Sequence, residues 1–116
     1  MELIDFRNYC LSKKGVTEAF PFDEETLVLK VGSKMFALTN INSQEFSINL
    51  KCEPLLAQAL RQEYSSITPG YHMNKQHWNT IRIDGSIDES KIKFMIDLSY
   101  DLVFKRLTKI EKASIL

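Results

Sequence analysis

Three short segments, TLVLKV (26–31), KMFALT (34–39) and EFSINLK (45–51), follow one another with no room for a helix between them. Strands that close together pair as an antiparallel meander, because a parallel crossover needs a dozen or more residues. VGSK between the first two makes a tight hairpin turn, and NINSQ makes a longer polar connection. TEAFPF (17–22) suits an edge strand, since Pro21 cannot donate to a ladder. HWNTIRI (77–83) returns to period-two alternation after a long loop, SSITPGYHMNKQ (65–76), whose Pro69-Gly70 pair fits a type II turn.

The remaining segments carry a helical period. Leu3, Phe6 and Cys10 share one side of a helix from Glu2 to Lys14, closed by Gly15. Pro54 opens a second, with Leu55, Leu56, Ala59 and Leu60 on its apolar side. A third runs from about Asp88 to Lys112, striped by Ile92, Met95, Ile96, Ser99, Leu102, Val103, Leu107 and Ile110. Each helix has one apolar side to bury. The chain therefore predicts a single α+β domain over residues 1–116, an antiparallel sheet of about five strands with three helices packed on one face. Phe46, Ile48, Ile81, Ile96 and Leu102 are the expected core.

Several classes of function lose ground here. Fifteen basic residues balance fifteen acidic ones, which argues against a strongly electrostatic nucleic-acid binder and leaves only a local patch. Cys10 and Cys52 are isolated and make no disulfide framework. The opening residues, MELIDFRNY, lack the apolar region of a signal peptide, and no apolar run reaches the roughly 18–20 residues of a membrane helix. A cytoplasmic monomer without membrane contact is the expectation.

Alternation also sorts the strand side chains into two sets. Leu27, Leu29 and Val31, then Phe46, Ile48 and Leu50, then Ile81 and Ile83, form the core sets. Thr26, Val28 and Lys30, then Ser47, Asn49 and Lys51, then Trp78, Thr80 and Arg82, are left for the face the helices do not cover. Two readings of Trp78 are open. It packs on a neighbouring strand and shields the lysine stems, or it is an exposed platform ringed by Lys30, Lys51 and Arg82.

Residues 69–85, PGYHMNKQHWNTIRIDG, hold both histidines and the single tryptophan. His72 and His77 are five apart, with no cysteine or carboxylate before Asp84, so a three-ligand metal site is not expected. No nucleophile elbow or glycine-rich phosphate loop marks an enzyme, and no cofactor is implied. His72, Asn74, Lys75 and His77 remain as hydrogen-bonding groups that either bind a polar ligand or pin the loop.

The same segment closely resembles the signature of the MmcQ/YjbR family of small bacterial proteins, in which Pro-Gly-Tyr-His-Met-Asn-Lys runs into a His-Trp-Asn strand. TEAFPF, LKVGSKMFAL, INLKCEP and DLSYDLV agree in the right order, covering essentially the whole chain. Asp23 stands where the family pattern has a glycine. The resemblance implies a fold like that of CyaY and frataxin, and a proposed DNA-binding "double-wing" surface with no enzymatic activity attached. A frataxin-like acidic ridge for iron is reduced here to Glu2 and Asp5, and fold likeness alone does not transfer function. The expected function is non-enzymatic DNA binding, weak and salt-dependent, through Lys30, Lys34, Lys51, His72, Asn74, Lys75, His77, Trp78 and Arg82. The alternatives are a protein-interaction module or a binder of a small anionic ligand on the same surface.

Overall fold

The computed structural model describes residues 1–70 and 73–115. The meander forms as the alternation requires: β2 (Thr26–Val31), β3 (Lys34–Asn40) and β4 (Ser47–Lys51) pair antiparallel in sequence order. β1 (Val16–Ala19) flanks β2, and Pro21 lies outside it. On the other side β4 pairs with β6 (Trp78–Arg82), and β6 with β5 (Ile67–Pro69), giving the order β1-β2-β3-β4-β6-β5. The sheet thus has one strand more than the roughly five expected. β5 lies inside the segment read as loop, and its three residues are too few to display an alternation.

α1 (Leu3–Leu11), α2 (Pro54–Glu63) and α3 (Glu89–Lys105) contribute Phe6 and Cys10, Ala57 and Leu60, and Ile92, Met95, Ile96 and Val103 to one continuous core. The sheet supplies Leu27, Leu29, Val31, Ile48, Leu50 and Ile81 to the same core, so these helices share one face. Ile48, Ile81 and Ile96 are buried as expected. Phe46 and Leu102 are only half-buried, with Phe46 packing edge-on against Phe6 at the core margin.

α1 stops at Leu11, three residues short of the expected end. The last helix breaks. After Lys105 the backbone tightens, with Arg106 N–H donating to the Val103 carbonyl at 3.0 Å and Leu107 N–H to Phe104 at 3.1 Å. A separate α4 (Lys109–Ile115) then starts, the Thr108 hydroxyl accepting Glu111 N–H at 3.1 Å and the Glu111 carboxylate accepting Thr108 N–H at 3.4 Å. That exchange is a capping box, which fits a helix start better than continuation. Ile110, placed on the apolar stripe by periodicity, is consequently 84% exposed.

The ladder between β2 and β3 is irregular at one point. Met35 opposes Lys30 and Ala37 opposes Leu29, so Phe36 is the extra residue of a β-bulge. β3 and β4 are in register only at Ala37–Leu50 and Leu38–Asn49, and past Leu50 they part. Ser99 of α3 fills the gap: its hydroxyl donates to the Phe36 carbonyl at 2.6 Å and accepts Lys51 N–H at 2.9 Å.

Candidate nucleic-acid interface

Trp78 lies on the sheet face opposite the helices, as its phase requires, but it is not exposed. Only 6% of it is accessible, and Val28 and Leu38, paired across β2 and β3 on that same face, are buried too. None of the three belongs to the main core, so the far face carries an apolar patch of its own. This corrects the exposed-platform reading in favour of packing.

The chain folds tightly against Trp78 as it enters β6. Gly70 N–H donates to the Trp78 carbonyl at 2.8 Å, and Trp78 N–H to the Asn74 carbonyl at 3.0 Å. A Cβ on Gly70 would meet the Trp78 Cβ at 2.7 Å and the Met73 Cβ at 3.1 Å, so the loop closes against the tryptophan as only glycine permits. Arg61 of α2 anchors it from the helix side. Its Nε donates to Asn79 Oδ1 at 2.7 Å, and its Nη2 donates to the carbonyls of Lys75 and, at 3.3 Å, Trp78. Asn79 in turn donates to the Ala57 carbonyl at 3.4 Å, and the His77 carbonyl accepts Cys52 N–H at 2.8 Å. Asn74 spends its side-chain oxygen on Gln76 N–H at 3.0 Å. These contacts support the loop-pinning reading for Asn74; His77 is half-buried, and His72 lies outside the described residues. Sequence reasoning missed Arg61, because nothing local to a helix surface announces a partner eighteen residues on.

The cations separate into two groups. Arg82 sits at the far end of β6 from Trp78, opposite Ser47, about 13 Å along the strand at roughly 3.3 Å per residue. Its Nε pairs with Asp84 Oδ2 at 3.0 Å. The Ser86 hydroxyl and N–H, with Arg82 behind them, hold the Asp84 carboxyl down at about 2. Beside them is a hydroxyl-lined hollow of about 230 Å³ with Ser47, Ser66, Thr68 and Thr80 on its walls. At the other end, Lys51 faces Trp78 across the ladder, Lys30 lies two strands away, and Lys34 starts β3. Lys75 is exposed on the loop. None of Lys30, Lys34, Lys51 and Lys75 forms an ion pair among the described residues. Burial pushes the Lys51 ammonium below its usual range, and the nearby charges of Arg106 and Lys34 push it further. Sequence reasoning missed Arg106, which periodicity placed inside a continuous helix.

Among the described residues no group of three histidine, cysteine or acidic side chains could hold a metal, and no helix is long and apolar enough to cross a membrane. Cys10 and Cys52 are free and buried, and burial pushes the Cys10 thiol up to about 12.

A one-sided α+β sheet with an anchored Trp loop and a lysine-bearing end defines a class of small, single-core modules. The chain belongs to the YjbR family, whose model matches residues 11–102. It is 34% identical over 100 residues to the uncharacterised Escherichia coli protein YjbR, covering 86% of this chain and 85% of that one. With Escherichia coli YbdF, also uncharacterised, identity is 39% over 90 residues, 78% of this chain and 74% of the relative. The crystal structure of Deinococcus radiodurans protein DR2400, with a DUF419 domain, superposes at a TM-score of 0.91 and 39% identity, covering 97% of this chain and 86% of that one. A Pseudomonas syringae crystal structure superposes at 0.76 and 28%, covering 88% and 98%.

Proposed function

We propose that this protein is a non-catalytic module that binds nucleic acid through its phosphate backbone. One observation carries the reading: Lys30, Lys34, Lys51 and Lys75 make no ion pair among the described residues, in a chain whose fifteen basic and fifteen acidic residues balance overall. A neutral protein that leaves lysines unpaired toward one end of a sheet has a local field suited to polyanions despite its net charge of zero. The double-wing DNA-binding surface proposed for the family agrees with this. Because Trp78 is buried, bases have no stacking surface there, and recognition rests on phosphates, independent of sequence.

Fluorescence anisotropy of a labelled short duplex against salt tests the proposal. Three or four phosphate contacts give a log–log slope near about −3, with affinity of about 10⁻⁴ to 10⁻⁶ M at physiological salt. Lys75→Ala should shallow the slope by about one unit. An unchanged slope in that variant, or no binding at low salt, refutes the reading and transfers the surface to a protein partner.

A further inference from the structure

α3 buries Ile92, Met95, Ile96, Ser99 and Val103 but leaves Leu98 and Leu102 half-buried. Four residues apart, those two leucines share one side of the helix. With Cys52, Leu56 of α2 and Phe104 they line a hollow of about 390 Å³ between α2 and α3. Glu53, Asp101 and Lys105 complete its lining, and none of the three forms an ion pair among the described residues. Two carboxylates to one ammonium leave the groove negative. Its apolar surface continues onto Leu55, 75% exposed beside the half-exposed Leu56. A single exposed leucine is ordinary, but an apolar hollow with polar walls and a leucine at its lip marks a contact surface.

The matching shape lies on the next element of the same chain. Ile110 of α4 is 84% exposed, so it does not fill the groove of its own molecule. Lys109 and Ala113 are exposed too, and their spacing puts all three on neighbouring turns of one side of α4. Lys109 makes no ion pair among the described residues. The carboxylate of Glu111 is held within its own chain, accepting Ser33 N–H at 2.9 Å and Thr108 N–H at 3.4 Å. What α4 offers outward is an apolar knob with a positive charge beside it. α4 begins four residues after Lys105, so at most about 14 Å of chain separates the knob from the groove.

We propose that the groove between α2 and α3 receives the α4 knob of a second copy of this chain, reciprocally, in a two-fold dimer. Ile110 sits against Leu56, Leu98 and Leu102, with Lys109 beside Asp101 and Glu53. A two-fold interface needs a patch that complements itself, and a groove and knob of opposite charge side by side on one molecule meet that need. A small apolar ligand would fill the hollow but leave Leu55 and Ile110 in water. The dimer replaces the monomer expected from the sequence, and it is independent of the nucleic-acid reading because none of Lys30, Lys34, Lys51 and Lys75 takes part.

Sedimentation equilibrium of the full chain tests it. Two small contacts make a weak dimer, so concentrations from about 10 µM to about 1 mM are compared. The proteins are the wild type, Leu56→Glu, Ile110→Glu, Asp101→Lys, Lys109→Asp and the Asp101→Lys/Lys109→Asp double variant, and an unchanged melting temperature at the lowest concentration verifies folding. The average mass of the wild type should climb from one chain toward two. Each glutamate enters an apolar seat and should weaken association at least about tenfold. Each single charge reversal should weaken it as well, and the double variant should recover it. A wild type that stays monomeric throughout the range overturns the proposal and leaves the groove to a foreign partner or a small apolar ligand. Association that Leu56→Glu or Ile110→Glu leaves intact also overturns it, since the copies then meet through another surface. Loss in both single reversals with no recovery in the double variant overturns the pairing of knob with groove.

Discussion

Lys51 donates its backbone N–H to the hydroxyl of Ser99, a residue from the middle of a helix standing in for a strand. Ser99 is fully buried and passes its own proton to the carbonyl of the bulged Phe36. Ser99→Ala removes both partners at once and leaves a donor and an acceptor in a dry site. The expected loss is about 1–3 kcal/mol in chemical denaturation, the usual cost of a buried unsatisfied group. A loss under about half a kcal/mol would mean that the strands close the gap themselves.

Gly70 and Trp78 give a second prediction. An alanine Cβ at 70 would stand 2.7 Å from the Trp78 Cβ and 3.0 Å from its carbonyl oxygen, so loop or strand must move. Overpacking of this kind costs about 1–3 kcal/mol. Trp78 is the single tryptophan, so its emission reports on this site alone. Gly70→Ala should lower the unfolding midpoint and shift emission to the red as the ring gains water. An unaltered spectrum and midpoint would show that the loop yields freely and is not what covers the ring.

Acid titration tests the state of Arg82. Asp84 accepts the Ser86 hydroxyl at 2.5 Å, Ser86 N–H at 3.0 Å and Arg82 Nε at 3.0 Å, all of which favour the carboxylate. Its folded pKa, about 2, lies below the unfolded value of about 3.9. The stabilisation is therefore fully present above the unfolded value and is lost as pH falls through about 2. Carboxyl NMR should place the Asp84 midpoint near there, and Ser86→Ala should raise it. Since phosphate must displace Asp84 to reach Arg82, Arg82→Ala should change the salt slope of DNA binding less than Lys75→Ala does. The reverse ranking would show that the ion pair opens readily.

The architecture was legible because alternation and helical period are local signals. Alternation placed Trp78 on the correct face. It says nothing of what lies above a residue, nor of the adjoining loop, which is held by Arg61, a helix side chain that no local pattern connects to it. The break after α3 had a written signal, the Thr108-Lys109-Ile110-Glu111 capping box, which the uninterrupted apolar period masked. Arg106 was hidden by the same apolar period.

Arg61 supports the last prediction, because one guanidinium reaches Lys75, Trp78 and Asn79 together. A planar fork can hold several acceptors at fixed angles, whereas a lysine ammonium is a compact point donor on a flexible stem. Arg61→Lys keeps the charge and loses that geometry. The amides from 74 to 79 should exchange faster with solvent, while those of β2 and β3, distant from the anchor, keep their protection. Hydrogen bonds to a charged donor contribute about 1.5–3 kcal/mol each, so the overall loss should reach at least that range if the loop cannot be rescued. The functional consequence separates anchoring from binding. Lys75 keeps its charge but is no longer held in place, so duplex affinity should fall while the salt slope stays near its wild-type value, whereas Lys75→Ala shallows that slope as well. A variant with the wild-type exchange pattern would show that backbone bonds such as Gly70 to Trp78 suffice to hold the loop, and that Arg61 is dispensable to it.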